Sequence, residues 1–202
     1  EYPEFFGALK NLSYYSQIND SSEKIQECFY ISLKDIADDI NVNNLSEEIN
    51  SAAWYSIMKN SDADNAVKLF DEYVQKHETN KAYKTYSDCL SEQGKNNFVN
   101  RILKADYSSY ADYLKKIHLE AVSFSLESAV GYEKVKAVYD LNYEEIGYTQ
   151  EGYTALLNKK NINKAFAEVG GKSVDSWNTA KVNLENALKK AESSEENVNP
   201  PK

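Results

Sequence analysis

The chain has 202 residues, of which 42% are hydrophobic, so it is long enough to bury a core without disulfides or metals as supports. Its net charge of −9 disfavours partners that carry dense negative charge, which excludes nucleic acids and anionic membrane surfaces as expected partners. Seven glycines and three prolines are too few for the frequent turns of an all-β fold, and no apolar run approaches the roughly eighteen residues that a membrane-spanning helix needs. Together these quantities predict an all-α protein without a membrane span.

The first half of the chain contains several stretches with the apolar spacing of amphipathic helices. Asp20 and Glu23 form a start that resembles a capping box, Asn41–Asn44 interrupts the pattern, and Gly94 is placed at a helix end. The helices predicted here extend over Pro3–Ile18, Asp20–Ile40, Ser46–Ile57, Asp62–His77 and Tyr83–Leu90.

The second half continues the helical periodicity, and its glycines mark the breaks. Gly147 closes one helix, Gly170–Gly171 is the strongest break, and Ser173 caps a final amphipathic helix that reaches Ala191. The segments predicted before that final helix are Phe98–Ala105, Ser108–Ser128, Tyr132–Ile146, Gln150–Leu157 and Ile162–Val169.

No internal repeat and no long linker divides the chain. We therefore predict a single-domain all-α bundle of about eight to ten amphipathic helices over residues 1–192, stapled by one disulfide. Residues 193–202 are polar and include Pro200-Pro201, which predicts a disordered C-terminal tail.

Cys28 and Cys89 are the two cysteines of the chain, and an even, low count favours one disulfide between them. The bond would close a loop of about 60 residues and would restrict the unfolded chain. It would also indicate an oxidising, extracellular compartment, and a first residue Glu1 rather than methionine fits removal of a signal peptide or a trimmed chain. The alternative is two unpaired, buried thiols that act as small hydrophobic side chains.

Three sequons for N-glycosylation, at Asn11, Asn19 and Asn44, agree with an extracellular location. All three fall in the first quarter of the chain, which predicts one glycosylated end. A chain rich in asparagine also produces such triplets by chance.

Two fragments resemble ligand-binding motifs but lack their decisive residues. Gly171-Lys172-Ser173 ends like a phosphate-binding loop, yet Phe166 stands where the first glycine is needed. Asp62-Ala63-Asp64 begins like a calcium loop, yet Val67 stands at its glycine position. The sequence therefore predicts neither a nucleotide nor a metal.

The residues that carry most catalysis are scarce. With two histidines the chain cannot build a histidine-rich metal site, and it contains no Gly-x-Ser-x-Gly elbow. A cysteine–histidine nucleophile would require a free thiol. We therefore predict no cofactor and no enzymatic activity.

Tyrosine is over-represented, with sixteen residues against seven phenylalanines. One interpretation is that tyrosine replaces phenylalanine in a partly exposed core. The other is a partner-contact surface at Tyr107, Tyr110 and Tyr113, because tyrosine is enriched at protein interfaces.

These features lead to a first hypothesis: a secreted, non-catalytic helical protein of effector or ectodomain type, which binds another macromolecule, expected to be a protein. A second hypothesis is a carrier that encloses a small apolar ligand or lipid between its helices. A third is an enzyme whose site is formed only in three dimensions.

Overall fold

The structure is a computed structural model, and it describes residues 7–37 and 45–196. No strand occurs in these two ranges, and most of their residues are helical, which confirms the all-α class. From Tyr15 onward the described helices are α1 (Tyr15–Ile18), α2 (Glu23–Ala37), α3 (Leu45–Lys59), α4 (Ala63–Lys76), α5 (Lys81–Cys89), α6 (Glu92–Lys104), α7 (Tyr110–Ser128), α8 (Tyr132–Ile146), α9 (Gln150–Leu157), α10 (Ile162–Val169) and α11 (Trp177–Glu196).

The chain divides into two compact units. Unit 1 consists of residues 1–76 and 96–116, and unit 2 consists of residues 77–95 and 117–202. Each unit is therefore discontinuous in sequence, and α6 and α7 each contribute residues to both. A single folding domain over residues 1–192 stays a prediction.

Helix α3 lies at the centre of unit 1, because its buried residues occupy almost every side of the helix. The indole of Trp54 stacks on the ring of Tyr73 in α4, with centroids 3.7 Å apart, and its Nε1 donates a hydrogen bond to the Leu69 carbonyl at 3.0 Å. Aromatic side chains of this size each bury a large apolar area, so this stack is a major part of the unit 1 core.

The core of unit 2 is formed where α10 packs on α8 and α11. The hydroxyl of Tyr139 in α8 donates to the carbonyl of Ala180 in α11 at 2.7 Å, so the buried ring also joins two helices. A Cβ on Gly170 would lie 3.1 Å from the Ala129 carbonyl oxygen and 3.1 Å from a methyl group of Val135. This close approach explains why the break after α10 contains glycine.

Helix boundaries agree with the sequence at some positions and differ at others. Gly147 ends α8 in the left-handed region with φ of 95°, as predicted. Gly94 lies inside α6 instead of ending a helix, because the Ser91 hydroxyl accepts its N–H at 3.2 Å and caps the start of that helix.

The last helix begins at Trp177, four residues after the predicted cap at Ser173. The cap is Ser176, whose Oγ accepts the Thr179 N–H at 3.1 Å, while the Val174 N–H is bonded to Ser123 instead. Helix α11 continues to Glu196, beyond the predicted start of the tail at residue 193, and residues 197–202 lie outside the described part of the chain.

The predicted disulfide is wrong, because both cysteines are free and no cysteine pair lies at disulfide distance. Cys28 belongs to unit 1 and Cys89 to unit 2. Burial raises the pKa of both thiols, that of Cys89 to about 11. Helical periodicity indicates which face of its own helix a cysteine occupies. It does not indicate which helix lies opposite that face, and for this reason the predicted pairing was wrong.

We expect Gly147→Ala to destabilise the protein by about 1 kcal/mol, because alanine is strained at positive φ. Urea unfolding followed by circular dichroism would measure the change. The matched control is Gly94→Ala, which lies in a helix without positive φ; its Cβ would lie 3.3 Å from the rotatable Ser91 Oγ, so it should change stability by less than about 0.5 kcal/mol. Equal destabilisation by both variants would contradict the role assigned to Gly147.

We expect iodoacetamide to add two carbamidomethyl groups to the unfolded, unreduced protein, because both thiols are free. In the folded protein Cys89 should react on the order of a hundredfold more slowly at pH 8, since its raised pKa leaves little thiolate. Mass spectrometry over time would measure both. An unreduced, unfolded chain without alkylation would show that the cysteines are bonded after all.

Candidate functional site

Helix α2 carries a stripe that is exposed except at the half-buried Gln26, and it consists of the six residues Glu23, Gln26, Glu27, Tyr30, Ile31 and Lys34. They follow the spacing of one helix face over three turns and line a shallow depression of about 490 Å³. Tyr30 and Ile31, at its centre, are 60% and 47% exposed, while Phe29 on the opposite side of α2 is buried. Large apolar side chains are usually covered, so this stripe is a candidate contact surface.

A cavity of about 570 Å³ lies within unit 1 between α2, α3 and α7. Its lining combines apolar and charged side chains, which we call the floor and the rim of the cavity. The described residues that line it are Asp35, Ile36, Glu48, Tyr110, Ala111, Leu114 and Lys115.

Side-chain hydrogen bonds hold the wall formed by α7 against α2. The Ser109 hydroxyl donates to a carboxylate oxygen of Asp35, and the Tyr110 N–H donates to the Ser32 hydroxyl at 3.0 Å. The Ser32 hydroxyl in turn donates to the Cys28 carbonyl at 2.9 Å. The first turn of α7 is thereby fixed on the surface of α2, and the cavity between them is preformed.

Lys59, near the end of α3, satisfies the carboxyl end of α6. Its ammonium group donates to the carbonyls of Ile102, Leu103 and Ala105, at 2.9, 2.7 and 2.5 Å. Partial burial lowers the pKa of Lys59 below its ordinary value. The carbonyls at a helix end lack partners in the helix and carry partial negative charge, so this lysine acts as a helix cap from another element.

A buried polar cluster lies in unit 2, and sequence reasoning missed it. The Asn142 amide nitrogen donates to the Val138 carbonyl at 2.8 Å and to the Thr85 hydroxyl at 3.0 Å, while its oxygen lies 2.7 Å from His118 Nε2. Since the amide nitrogen is occupied as a donor, His118 donates through Nε2. The edge of its ring contacts Trp177, with centroids 4.9 Å apart. The half-buried histidine is therefore held in place by Asn142 and Trp177.

The structure brings the three predicted contact tyrosines together in unit 1, but mostly in its interior. Tyr110 and Tyr113 are 5% and 0% exposed, and their rings stack with centroids 6.0 Å apart. Tyr107 is partly exposed, and the ammonium groups of Lys59 and Lys116 lie 5.5 and 5.8 Å from its ring centroid. A partner would reach the ring of Tyr107 far more easily than the buried rings of Tyr110 and Tyr113. Partner contact at these three tyrosines stays a prediction.

The remaining predicted site residues are placed as follows. Asn11 and Asn19 are exposed, as a glycosylated asparagine must be, and glycosylation stays a prediction. Asn44 lies outside the described residues. Cys28 and Cys89 are partly buried in different units, so they share no site within either unit.

The described ranges, residues 7–37 and 45–196, contain no group of three or more histidine, cysteine, aspartate or glutamate side chains that could hold a metal ion. None of the helices in those ranges is both long enough and apolar enough to cross a bilayer.

No protein-family model matches the chain, and neither a curated protein nor a solved structure is detectably similar to it. A function for this protein therefore has to be argued from the geometry of its structure.

Replacing Lys59 with methionine should destabilise the protein by about 2 kcal/mol, since methionine keeps the apolar stem but leaves three carbonyls without their charged donor. Urea unfolding measures the change. Lys68→Met on the exposed side of α4 is the matched control and should change stability by less than about 0.5 kcal/mol. Similar values for the two variants would show that the cap contributes nothing.

Proposed function

We propose that the protein is a non-catalytic binding protein, and that its exposed α2 stripe receives an amphipathic helix of a partner protein. The observation that carries this proposal is the exposure of Tyr30 and Ile31 side by side at the centre of a regular helix face. Tyrosine is enriched at the centre of protein interfaces, and charged residues such as the neighbouring glutamates and lysine are typical of the rim around that centre.

The shape of the stripe favours a helical occupant. Its first and last residues, Glu23 and Lys34, are eleven positions apart, which corresponds to about 16 Å along α2. A straight helix of similar length offers apolar side chains at every third or fourth position, and these can pack beside Tyr30 and Ile31. The depression is shallow and open, which suits a helix face better than a small molecule.

The charges of the stripe define the chemistry of the partner further. Glu23 and Glu27 lie at the amino end and Lys34 at the carboxyl end, so the stripe carries one net negative charge. The whole chain carries −9. The partner helix therefore has apolar residues at its centre and lysine or arginine beside the two glutamates, and the long-range field speeds its association.

The state of the chemically reactive side chains supports binding rather than catalysis. Burial raises the pKa of Cys28 and of Cys89, which makes both thiols poor nucleophiles. His118 is engaged by Asn142. These two thiols and this histidine are therefore weak candidates for catalytic groups.

We also propose an extracellular location, which now depends on the sequons alone. Asn11 and Asn19 are exposed and available to a glycosyl transferase in the secretory pathway. Free thiols remove the argument that the disulfide had supplied.

The test uses a synthetic helical peptide with leucine at every third and fourth position and lysine on both flanks. We expect it to bind the full chain, with amide protection from hydrogen exchange appearing over residues 23–34. Tyr30→Ala and Ile31→Ala should each weaken binding at least about tenfold, as removal of a central interface residue does. Isothermal titration calorimetry measures the affinity.

Two controls distinguish specific binding at the stripe from peptide binding elsewhere on the protein. A peptide with glutamate in place of lysine should not bind. Val182→Ala, an equally conservative change at an exposed valine of α11, should leave the affinity unchanged. Binding that survives Tyr30→Ala, or protection elsewhere in the chain, would refute the proposed surface.

A further inference from the structure

The cavity between α2, α3 and α7 has the size of a small-molecule site. Its volume of about 570 Å³ falls within the range of ligand pockets, roughly 300–1,000 Å³. It shares no residue with the exposed α2 stripe, because its α2 residues are Asp35 and Ile36. The two sites can therefore be tested with separate substitutions.

The apolar floor of the cavity is formed partly by buried side chains. Ile36 and Tyr110 are buried, and the Tyr110 ring packs against those of Tyr55 and Tyr113, with centroids 5.8 and 6.0 Å away. Leu114 lines the same cavity and is 45% exposed, although leucine is ordinarily covered. A ligand with an apolar body would cover this leucine and would find a wall that needs no rearrangement.

The rim carries an excess of negative charge. Asp35 and Glu48 contribute two carboxylates and Lys115 one ammonium group, and no ion pair is present between the lysine and either carboxylate. One oxygen of Asp35 is occupied by the Ser109 hydroxyl. Glu48 has no such hydrogen bond among the described residues, so its carboxylate remains available to a cationic ligand.

From the size, the apolar floor and the charged rim, we infer that this cavity binds a small organic cation, namely a primary amine attached to an apolar body the size of a single ring. The ammonium group binds between Glu48 and Asp35, and the body covers Leu114 above Ile36 and Tyr110. An inorganic metal ion fits less well, since no third carboxylate, cysteine or histidine among the described residues joins the two acids.

This occupant differs from the apolar ligand or lipid of the second hypothesis. A lipid would leave the two carboxylates desolvated beside its chains, which costs free energy. An anionic ligand would meet the net negative charge of the rim. A primary amine satisfies the charged and the apolar part of the cavity together.

The experiment titrates phenethylamine into the full chain and compares it with 3-phenylpropionate, which has the same ring and the opposite charge. Isothermal titration calorimetry should detect saturable binding of the amine below about 1 mM and none of the acid. Ethylamine, which lacks the ring, should bind at least about tenfold more weakly, because the apolar body no longer contacts the floor.

Two rim substitutions test the charge assignment in opposite directions. Glu48→Gln should weaken phenethylamine about fivefold, and Lys115→Met should strengthen it about threefold. A merely structural effect would not change sign in this way. Glu151→Gln, at an exposed position of α9 in unit 2, removes the same charge from the chain and should have no effect.

Three results would overturn the inference. They are equal affinity for the amine and the acid, a shift in the same direction for the two rim variants, and no saturable heat with phenethylamine up to about 5 mM. The α2 stripe is tested with a peptide and with other substitutions. A negative result for the amine therefore does not refute the proposed partner surface, and a negative result for the peptide does not refute the amine site.

Discussion

Burial of α3 is the constraint on which unit 1 depends, because a helix enclosed on most sides is destabilised by each buried polar group that lacks a hydrogen bond. The Tyr55 hydroxyl is buried without a partner among the described residues, but other polar side chains of α3 find one. The Asn50 side chain accepts the backbone N–H groups of Tyr14 and Tyr15, and the Ser51 hydroxyl accepts from the hydroxyl of Tyr73. Lys59 extends to the end of α6. Each of these polar contacts fixes a different neighbour, so the requirement for hydrogen bonding determines where α1, α4 and α6 lie around α3. The apolar surface supplies stability, while the polar residues specify one arrangement.

Unit 2 uses the same principle with a smaller set of residues. Asn142 lies on the apolar side of α8 and is fully buried, and its amide connects Thr85 of α5 with His118 of α7. An asparagine in that position is costly unless both ends of its amide are bonded. Any other packing of these helices would leave the amide without these hydrogen bonds and would be less stable. A buried amide can in this way favour one arrangement of the core.

Much of the secondary structure was accessible from sequence, because helical periodicity and glycine breaks are local signals. Gly147 was predicted correctly since its role depends only on its own backbone angle. Gly94 was not, because the Ser91 cap outweighed the preference of glycine for helix ends. The disulfide and the cavity required knowledge of which helices are neighbours, and no local pattern in one sequence contains that. Asn142 did leave a trace, as a polar residue within an apolar stripe, and weighing that exception would have indicated a buried network.

The discontinuity of unit 1 has a consequence for its biosynthesis. The Tyr110 N–H that meets Ser32 is separated from it by 78 positions, and Ser109 is separated from Asp35 by 74. A ribosome adds residues in order, so the amino-terminal helices emerge well before the segment that completes their core. Until then the apolar sides of α2 and α3 have no partner from residues 96–116 and remain accessible to solvent or to a chaperone. The native arrangement of this unit is therefore attained only after the segment that ends at Lys116 has been synthesised.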